Sequence, residues 1–369
     1  MFALALLTGC VIPKPRHVLD LPPGPGNTRN SEGDIIRLED GRLLFAYSRF
    51  TTGKGYDEDA ADIAVRTSSD GGRTWSTKDV FAVCHDAKEA LNVMSVSLLK
   101  LKDGRLALFY LVKRSKDDCR PVMRISSDGG ASWGEEQALV PDSERDYYVV
   151  CNDRAVRLGS GRILLPVARR IPSCGQRIGP SVAFCLCSDD DGRTWRRGQE
   201  VGATGRDGKP TALQEPAVVE LGDGRVWMLM RTELGTQYES FSADGGETFS
   251  RPKPSQICSP RSPISITRLG NGDLLLVWND ISDMSAADRA DDTKTWLKRN
   301  RLRTAVSSDD GRSWRSAKWL EDDPDGWFCY TAVCELDGHL LFAYNNKGRL
   351  NGLVVADIPL GWLYKEEKE

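Results

Sequence analysis

Short apolar runs, each opened by a turn dipeptide, recur along the chain at intervals of roughly 60 residues. They read Asp40-Gly-Arg-LLFAY, Asp103-Gly-Arg-LALFY, Ser160-Gly-Arg-ILLPV, Asp223-Gly-Arg-VWMLM, Asn271-Gly-Asp-LLLVW and Asp337-Gly-His-LLFAY. Asp-Gly and Asn-Gly tolerate the positive φ of a tight hairpin turn. The residues on either side are apolar, β-branched or aromatic, as in Asp34-Ile-Ile-Arg-Leu38 before the first turn, and predict a strand on each side. No segment carries a convincing amphipathic helical pattern.

A second motif, S-x-D-x-G-x-[TS]-[WF], interleaves with the first. Its copies begin at Ser68, Ser126, Ser188, Ser242 and Ser307, and their central acids are Asp70, Asp128, Asp190, Asp244 and Asp309. An Asp in such a turn accepts hydrogen bonds from its own backbone, and the closing aromatic is free to plug the apolar layer beneath. These five Asp residues are therefore read as structural. Each unit holds about four strands, and radial repetition of four-stranded sheets makes a β-propeller. Six strand-turn motifs predict an all-β fold, a six-bladed β-propeller of four-stranded antiparallel blades. The sixth unit lacks the second motif and ends in Gly352-Leu-Val-Val-Ala-Asp357, a strand suited to closing the ring.

Composition narrows the function. The chain has 369 residues, with 50 Lys+Arg against 53 Asp+Glu, which argues against a general nucleic-acid binder. No apolar run approaches the ~20 residues that span a bilayer. Ten Cys carry no paired C-x-x-C pattern, and with three His they give no expectation of a metal site or cofactor. Free, buried cysteines are expected instead. At the N-terminus, Leu7-Thr8-Gly9-Cys10 is similar to a bacterial lipoprotein box, although no Lys or Arg precedes it. Residues 1–26 are read as a leader with a Pro/Gly-rich tether, Cys10 as a candidate lipid anchor, and 27–369 as one ring. An exported protein is expected.

The second motif is the Asp-box, and nearly the whole chain resembles the sialidase (neuraminidase) superfamily of Asp-box, or BNR-repeat, propellers. Four segments carry the resemblance beyond the boxes. Gln214-Glu215 through Arg231 is similar to the segment holding a Glu and, sixteen residues later, an Arg that grips a substrate carboxylate. Arg299-Asn-Arg-Leu302 resembles the segment with another such Arg, with Arg301 as its understudy. Tyr330-Thr331 resembles the segment of the nucleophilic Tyr, and Asp57-Glu-Asp59 falls where the acid/base Asp belongs.

The resemblance implies an exo-acting glycoside hydrolase acting on a glycan or glycoconjugate. In it Tyr330 attacks, Glu215 takes its proton, Asp57 or Asp59 serves the leaving oxygen, and Arg231 and Arg299 hold the carboxylate. One place departs from the pattern. Where the family keeps its first carboxylate-binding Arg, this chain has Asn30-Ser31-Glu32-Gly33-Asp34, with Arg29 nearby. Arg29, Glu32 and Asp34 are substrate-binding candidates, as are Asn92, Asn152, Asp153 and Arg154 on the loops entering the second and third blades. Tyr147 and Tyr148 are candidates for a stacking wall. Glu32 keeps open a neutral or uronic sugar as substrate, and a non-catalytic carbohydrate- or protein-binding propeller is the further alternative.

Overall fold

The apolar runs become the second strands of six antiparallel sheets set as the blades of a propeller. The computed structural model describes residues 13–171, 179–346 and 352–366. In the first blade the strands Arg29–Arg37, Leu43–Phe50, Ala61–Ser68 and Val80–Val83 pair in chain order. The second, fourth and fifth blades repeat this plan, with innermost strands Asn92–Lys100, Gln214–Glu220 and Ser265–Arg268. In the third, the innermost strand is broken into Tyr148–Val149 and Val156–Arg157, both paired with Ile163–Arg170.

The sixth blade joins the two ends of the chain. Cys329–Leu336, His339–Asn346 and Gly352–Pro359 form its inner strands, and Arg16–Leu21 is the outermost. Leu21 pairs with Leu353 and Arg16 with Asp357. Residues 16–21 thus belong to the ring, a correction to the tether expected there. The flanking prolines that suggested a tether bracket the strand, and an edge strand tolerates them. Cys10 and Cys174 lie outside the described residues. The eight described cysteines are free, and six of them are buried. No helix among the described residues is long and apolar enough to cross a membrane.

The core is six wedges, one between each pair of neighbouring blades. Leu44 and Ala46 pack towards the second blade with Val96 and Leu108. Leu43, Phe45 and Tyr47 of the same strand pack towards the sixth with Leu341 and Ala343. Both faces of a middle strand are buried, so it reads as a continuous apolar run without polar alternation.

The Asp-boxes hold these wedges shut. In the first, Asp70 Oδ1 accepts from Ser68 Oγ at 2.9 Å and from the Thr74 amide at 2.9 Å, while Oδ2 accepts from Thr74 Oγ1 at 2.7 Å. These bonds hold the carboxyl down at about 2. Gly72 sits at φ 85°, and a Cβ there would lie 2.4 Å from Leu341 Cδ1 of the preceding blade. The box aromatic enters the same wedge, as Trp75 does beside Phe45 at 5.8 Å. Trp133, Trp195, Phe249 and Trp314 repeat this around the ring.

The wedge between the fifth and sixth blades has no box. A short helix, Leu360–Tyr364, follows the third strand of the sixth blade at the box's usual place. Its Leu363 is fully buried among Leu269, Leu275 and Leu340. Leu363→Ala is expected to cost about 2–5 kcal/mol, the usual price of an emptied leucine site. A thermal scan showing no loss would mean that the helix does not close the ring.

Candidate active site

The innermost strands do not run straight. Pairing slips between Ser31 and Asp34, Met94 and Ser97, Gln214 and Ala217, and Cys329 and Ala332. At each slip a non-glycine residue takes positive φ: Glu32 (52°), Ser95 (64°), Glu215 (44°) and Tyr330 (59°). Asp153 (53°) holds the equivalent place at the break in the third blade. Each is a bulge that re-aims a side chain, and such conformations cost of order 1–3 kcal/mol apiece. The positions stand eight or nine residues before the turn glycine of their blade, a spacing legible in the sequence. In the fifth blade the ninth residue back is Pro263, whose ring forbids positive φ.

Four bulge residues and the strands beside them build one cluster. Tyr330 Oη donates to Glu215 Oε1 at 3.3 Å, and Arg231 Nη1 donates to Glu215 Oε2 at 2.6 Å. The Arg299 guanidinium lies 5.8 Å from the Tyr330 ring centroid and 5.1 Å from that of Trp327. Its Nη2 donates to the Arg261 carbonyl at 2.6 Å and its Nη1 to Cys329 Sγ at 3.4 Å. Among the described residues Arg299 forms no ion pair, whereas Arg261 pairs with Asp292 at 3.0 Å. Burial raises the Tyr330 phenol well above its ordinary range, and Glu215 adds to this while Arg299 and Arg231 oppose it.

Arg29 sits on the opposite side, its side chain 1% exposed. Nη1 donates to Asp57 Oδ1 at 2.8 Å and to the Gly55 carbonyl at 3.3 Å. Nη2 donates to Glu32 Oε1 at 3.1 Å and to Ser31 Oγ at 2.9 Å. Glu32 Oε2 accepts from Ser95 Oγ at 2.6 Å. Burial pushes the Glu32 carboxyl up to about 7, although Arg29 draws it down. Asp57 is also desolvated, yet the bond and charge of Arg29 hold it below its ordinary value. Its side chain is 57% exposed, at the rim.

The structure separates Asp57 from Asp59. Asp59 Oδ2 accepts the backbone amides of Lys54 and Tyr56 at 2.9 and 2.8 Å, so it closes the loop that carries Asp57. Asn92 is fully buried. It donates to the carbonyls of Asp57 and Asp59 at 2.7 and 3.1 Å, which makes it a support of that loop. Lys113, which sequence reasoning missed, donates to the Asp57 carbonyl at 2.8 Å. Ser95, Arg261 and Trp327 were missed as well. Only the bulge spacing pointed to Ser95, and nothing in the sequence marked the others.

Asp34, Asn152, Asp153 and Arg154 were expected to contact substrate, but their polar atoms are engaged with the backbone of other blades. Asp34 accepts the Leu98 amide at 2.7 Å and Asp153 the Val333 amide at 2.9 Å. Asn152 donates to the carbonyls of Gly33 and Tyr330 at 2.7 and 2.9 Å. Arg154 donates to the Ile264 carbonyl at 2.7 Å. Tyr147 and Tyr148 are buried and form no open wall. Two cavities, of about 390 and 340 Å³, lie away from the Tyr330 cluster, one lined by Arg157, Glu220 and Arg268, the other by Leu19, Tyr47 and Arg66.

A family model described as the BNR repeat-like domain matches residues 41–342. The chain belongs to the BNR-repeat sialidase superfamily. This BNR-repeat propeller is similar to a sialidase of Micromonospora viridifaciens, at 24% identity over 371 residues, covering 92% of this chain. It spans 51% of that relative, about half its length. A protein of unknown function from Dyadobacter fermentans shares the fold at a TM-score of 0.72 and 19% identity, over 94% of this chain and 100% of that one. The Hadza microbial sialidase Hz136 does so at 0.72 and 16% identity, over 91% of this BNR-repeat chain and 66% of its own. Hydrolase chemistry is thus supported at the level of the superfamily.

Proposed function

We propose that this chain is an exo-acting glycoside hydrolase of sialidase type that releases a terminal sugar acid from a glycan. The observation that carries the reading is the contact of Tyr330 Oη with Glu215 at 3.3 Å, flanked by Arg231, Arg299 and Arg29 from three other strands or loops. A sugar with a carboxylate on its anomeric carbon repels a carboxylate nucleophile, and sialidases use a Tyr in its place. A phenol is a weak nucleophile until a neighbouring base takes its proton.

In this scheme the Tyr330 oxygen attacks the anomeric carbon while Glu215 accepts the phenolic proton. The glycosidic C–O bond breaks, and its electron pair takes a proton from Asp57 at the rim, which carries one at acid pH because Arg29 holds its carboxyl low. Asp57, now ionised, then takes a proton from water. The hydroxide so formed bonds to the anomeric carbon, and Tyr330 leaves and recovers its proton from Glu215. The anomeric configuration is retained. Arg231 and Arg299 fork onto the sugar carboxylate in planar geometry that Lys does not reproduce.

One observation favours a second reading, a hydrolase for a neutral or uronic sugar: Glu32 occupies Arg29, so that side of the site is already neutralised. A panel of chromogenic glycosides separates the readings. Release from an α-sialoside supports the first, and release confined to a neutral or uronic glycoside supports the second. No release from any substrate, with glycan binding retained, would make this a binding propeller.

A further inference from the structure

Arg29 is surrounded by the protein's own acceptors. Its two terminal nitrogens reach Asp57, Glu32, Ser31 and the Gly55 carbonyl, so all four of their N–H groups are engaged. Arg231 and Arg299 differ. Arg231 meets one carboxylate, and Arg299 meets a carbonyl and a thiol. A ligand carboxylate arriving between these arginines can gain the terminal nitrogens of Arg29 only by displacing one of these internal acceptors. Glu32 is the one built for exchange. It stands on a strained bulge at φ 52°, and Ser95 Oγ holds its other oxygen at 2.6 Å.

We propose that Glu32 is a specificity-determining residue that competes with the substrate's carboxylate for Arg29, so that an anionic sugar binds together with one proton taken up by Glu32. The inference rests on the sugar-acid reading above. Its physical basis is charge. An ionised Glu32 beside an incoming carboxylate places two anions on one guanidinium, while a protonated Glu32 leaves Arg29 to the ligand and keeps a hydrogen bond with Ser95. The charged and titratable groups that face Glu32 are Arg29 on its own strand, Asp57 on the loop above, Glu215 and Tyr330 on the facing strands, and Cys151. Burial pushes the Glu32 carboxyl up to about 7. Asp57, held low by Arg29, would take up a proton only at acid pH, so the two contributions fall in different pH windows.

The test is binding, which does not depend on turnover. Affinities for sialic acid, galacturonic acid and galactose are measured by calorimetry from pH 5.5 to 8.5. For the two carboxylate sugars, wild-type affinity should fall about tenfold per pH unit once Glu32 ionises, because one proton is linked to binding. In Glu32→Gln that slope should vanish, leaving affinity at pH 8 about tenfold or more above wild type. Ser95→Ala removes a hydrogen bond that favours ionised Glu32, so the fall should move to higher pH. This variant leaves the bulge carboxyl in place and keeps the test open if Glu32→Gln does not fold. An unchanged slope in Glu32→Gln, an unmoved midpoint in Ser95→Ala, or no binding of either carboxylate sugar at any pH would overturn the proposal. Linked binding without hydrolysis of any glycoside would sink the hydrolase reading and leave this one standing.

Discussion

Tyr330→Phe is expected to lower kcat by about 10³-fold or more on whichever glycoside the wild type cleaves, with little change in melting temperature. The phenol makes one described hydrogen bond, the 3.3 Å contact with Glu215, so its removal leaves no strongly bonded partner exposed. The ring that packs against Arg299 is retained. What is lost is the phenolic oxygen that stands 3.3 Å from Glu215. Glu215→Gln should cost nearly as much, since the desolvated phenol is well above its ordinary pKa and gives up its proton only to a neighbouring base. Because the two groups act as a unit, the double variant should be little worse than either single one. Additive losses, or a Phe variant with more than a tenth of wild-type kcat, would rule out Tyr330 as the nucleophile.

Arg154→Met is expected to give the largest loss of stability, about 3–5 kcal/mol, because it strips the counter-charge from a buried acidic hub. Arg154 is 3% exposed. Burial and mutual repulsion raise Asp34 well above its ordinary value, and burial raises Asp153, while Arg154 opposes both shifts. The pH dependence follows from these directions. Acids raised on folding make the native state bind more protons than the unfolded chain, so stability falls as pH rises above the ordinary carboxylate range. Without Arg154 that fall should steepen. The variant should melt roughly 5–10 °C below wild type, with a wider gap at pH 8 than at pH 5. A uniform gap across pH would show that Arg154 acts through its bonds to the Asn152, Asp153 and Ile264 carbonyls and not through charge.

Much of the blade plan was legible because it rests on local rules. Turn dipeptides before LLFAY-like runs mark hairpins wherever they occur, and each Asp-box builds its turn from its own Ser, Asp and Thr, as Ser68, Asp70 and Thr74 do. The meeting of Glu215 with Arg231 was also within reach, since both lie on adjacent strands of one hairpin. Arg16–Leu21 was not, because its partner strand lies more than 300 residues away and its prolines speak only for local stiffness. Arg29 was ambiguous for a related reason. Counting along a strand assumes alternation, and the bulge at Glu32 breaks it.

The sequence by itself determined the number of blades and the turns between strands. Those follow from neighbours in the chain. Tertiary structure alone decided which acid faces the site and which supports a loop, as with Asp57 against Asp59. It also decided that Asp34, Asn152, Asp153 and Arg154 tie blades together, and that Glu32 stands on Arg29. Each of these outcomes depends on which carbonyl, amide or guanidinium another blade brings within 3 Å, and on how far burial has removed the water that would otherwise make the choice indifferent.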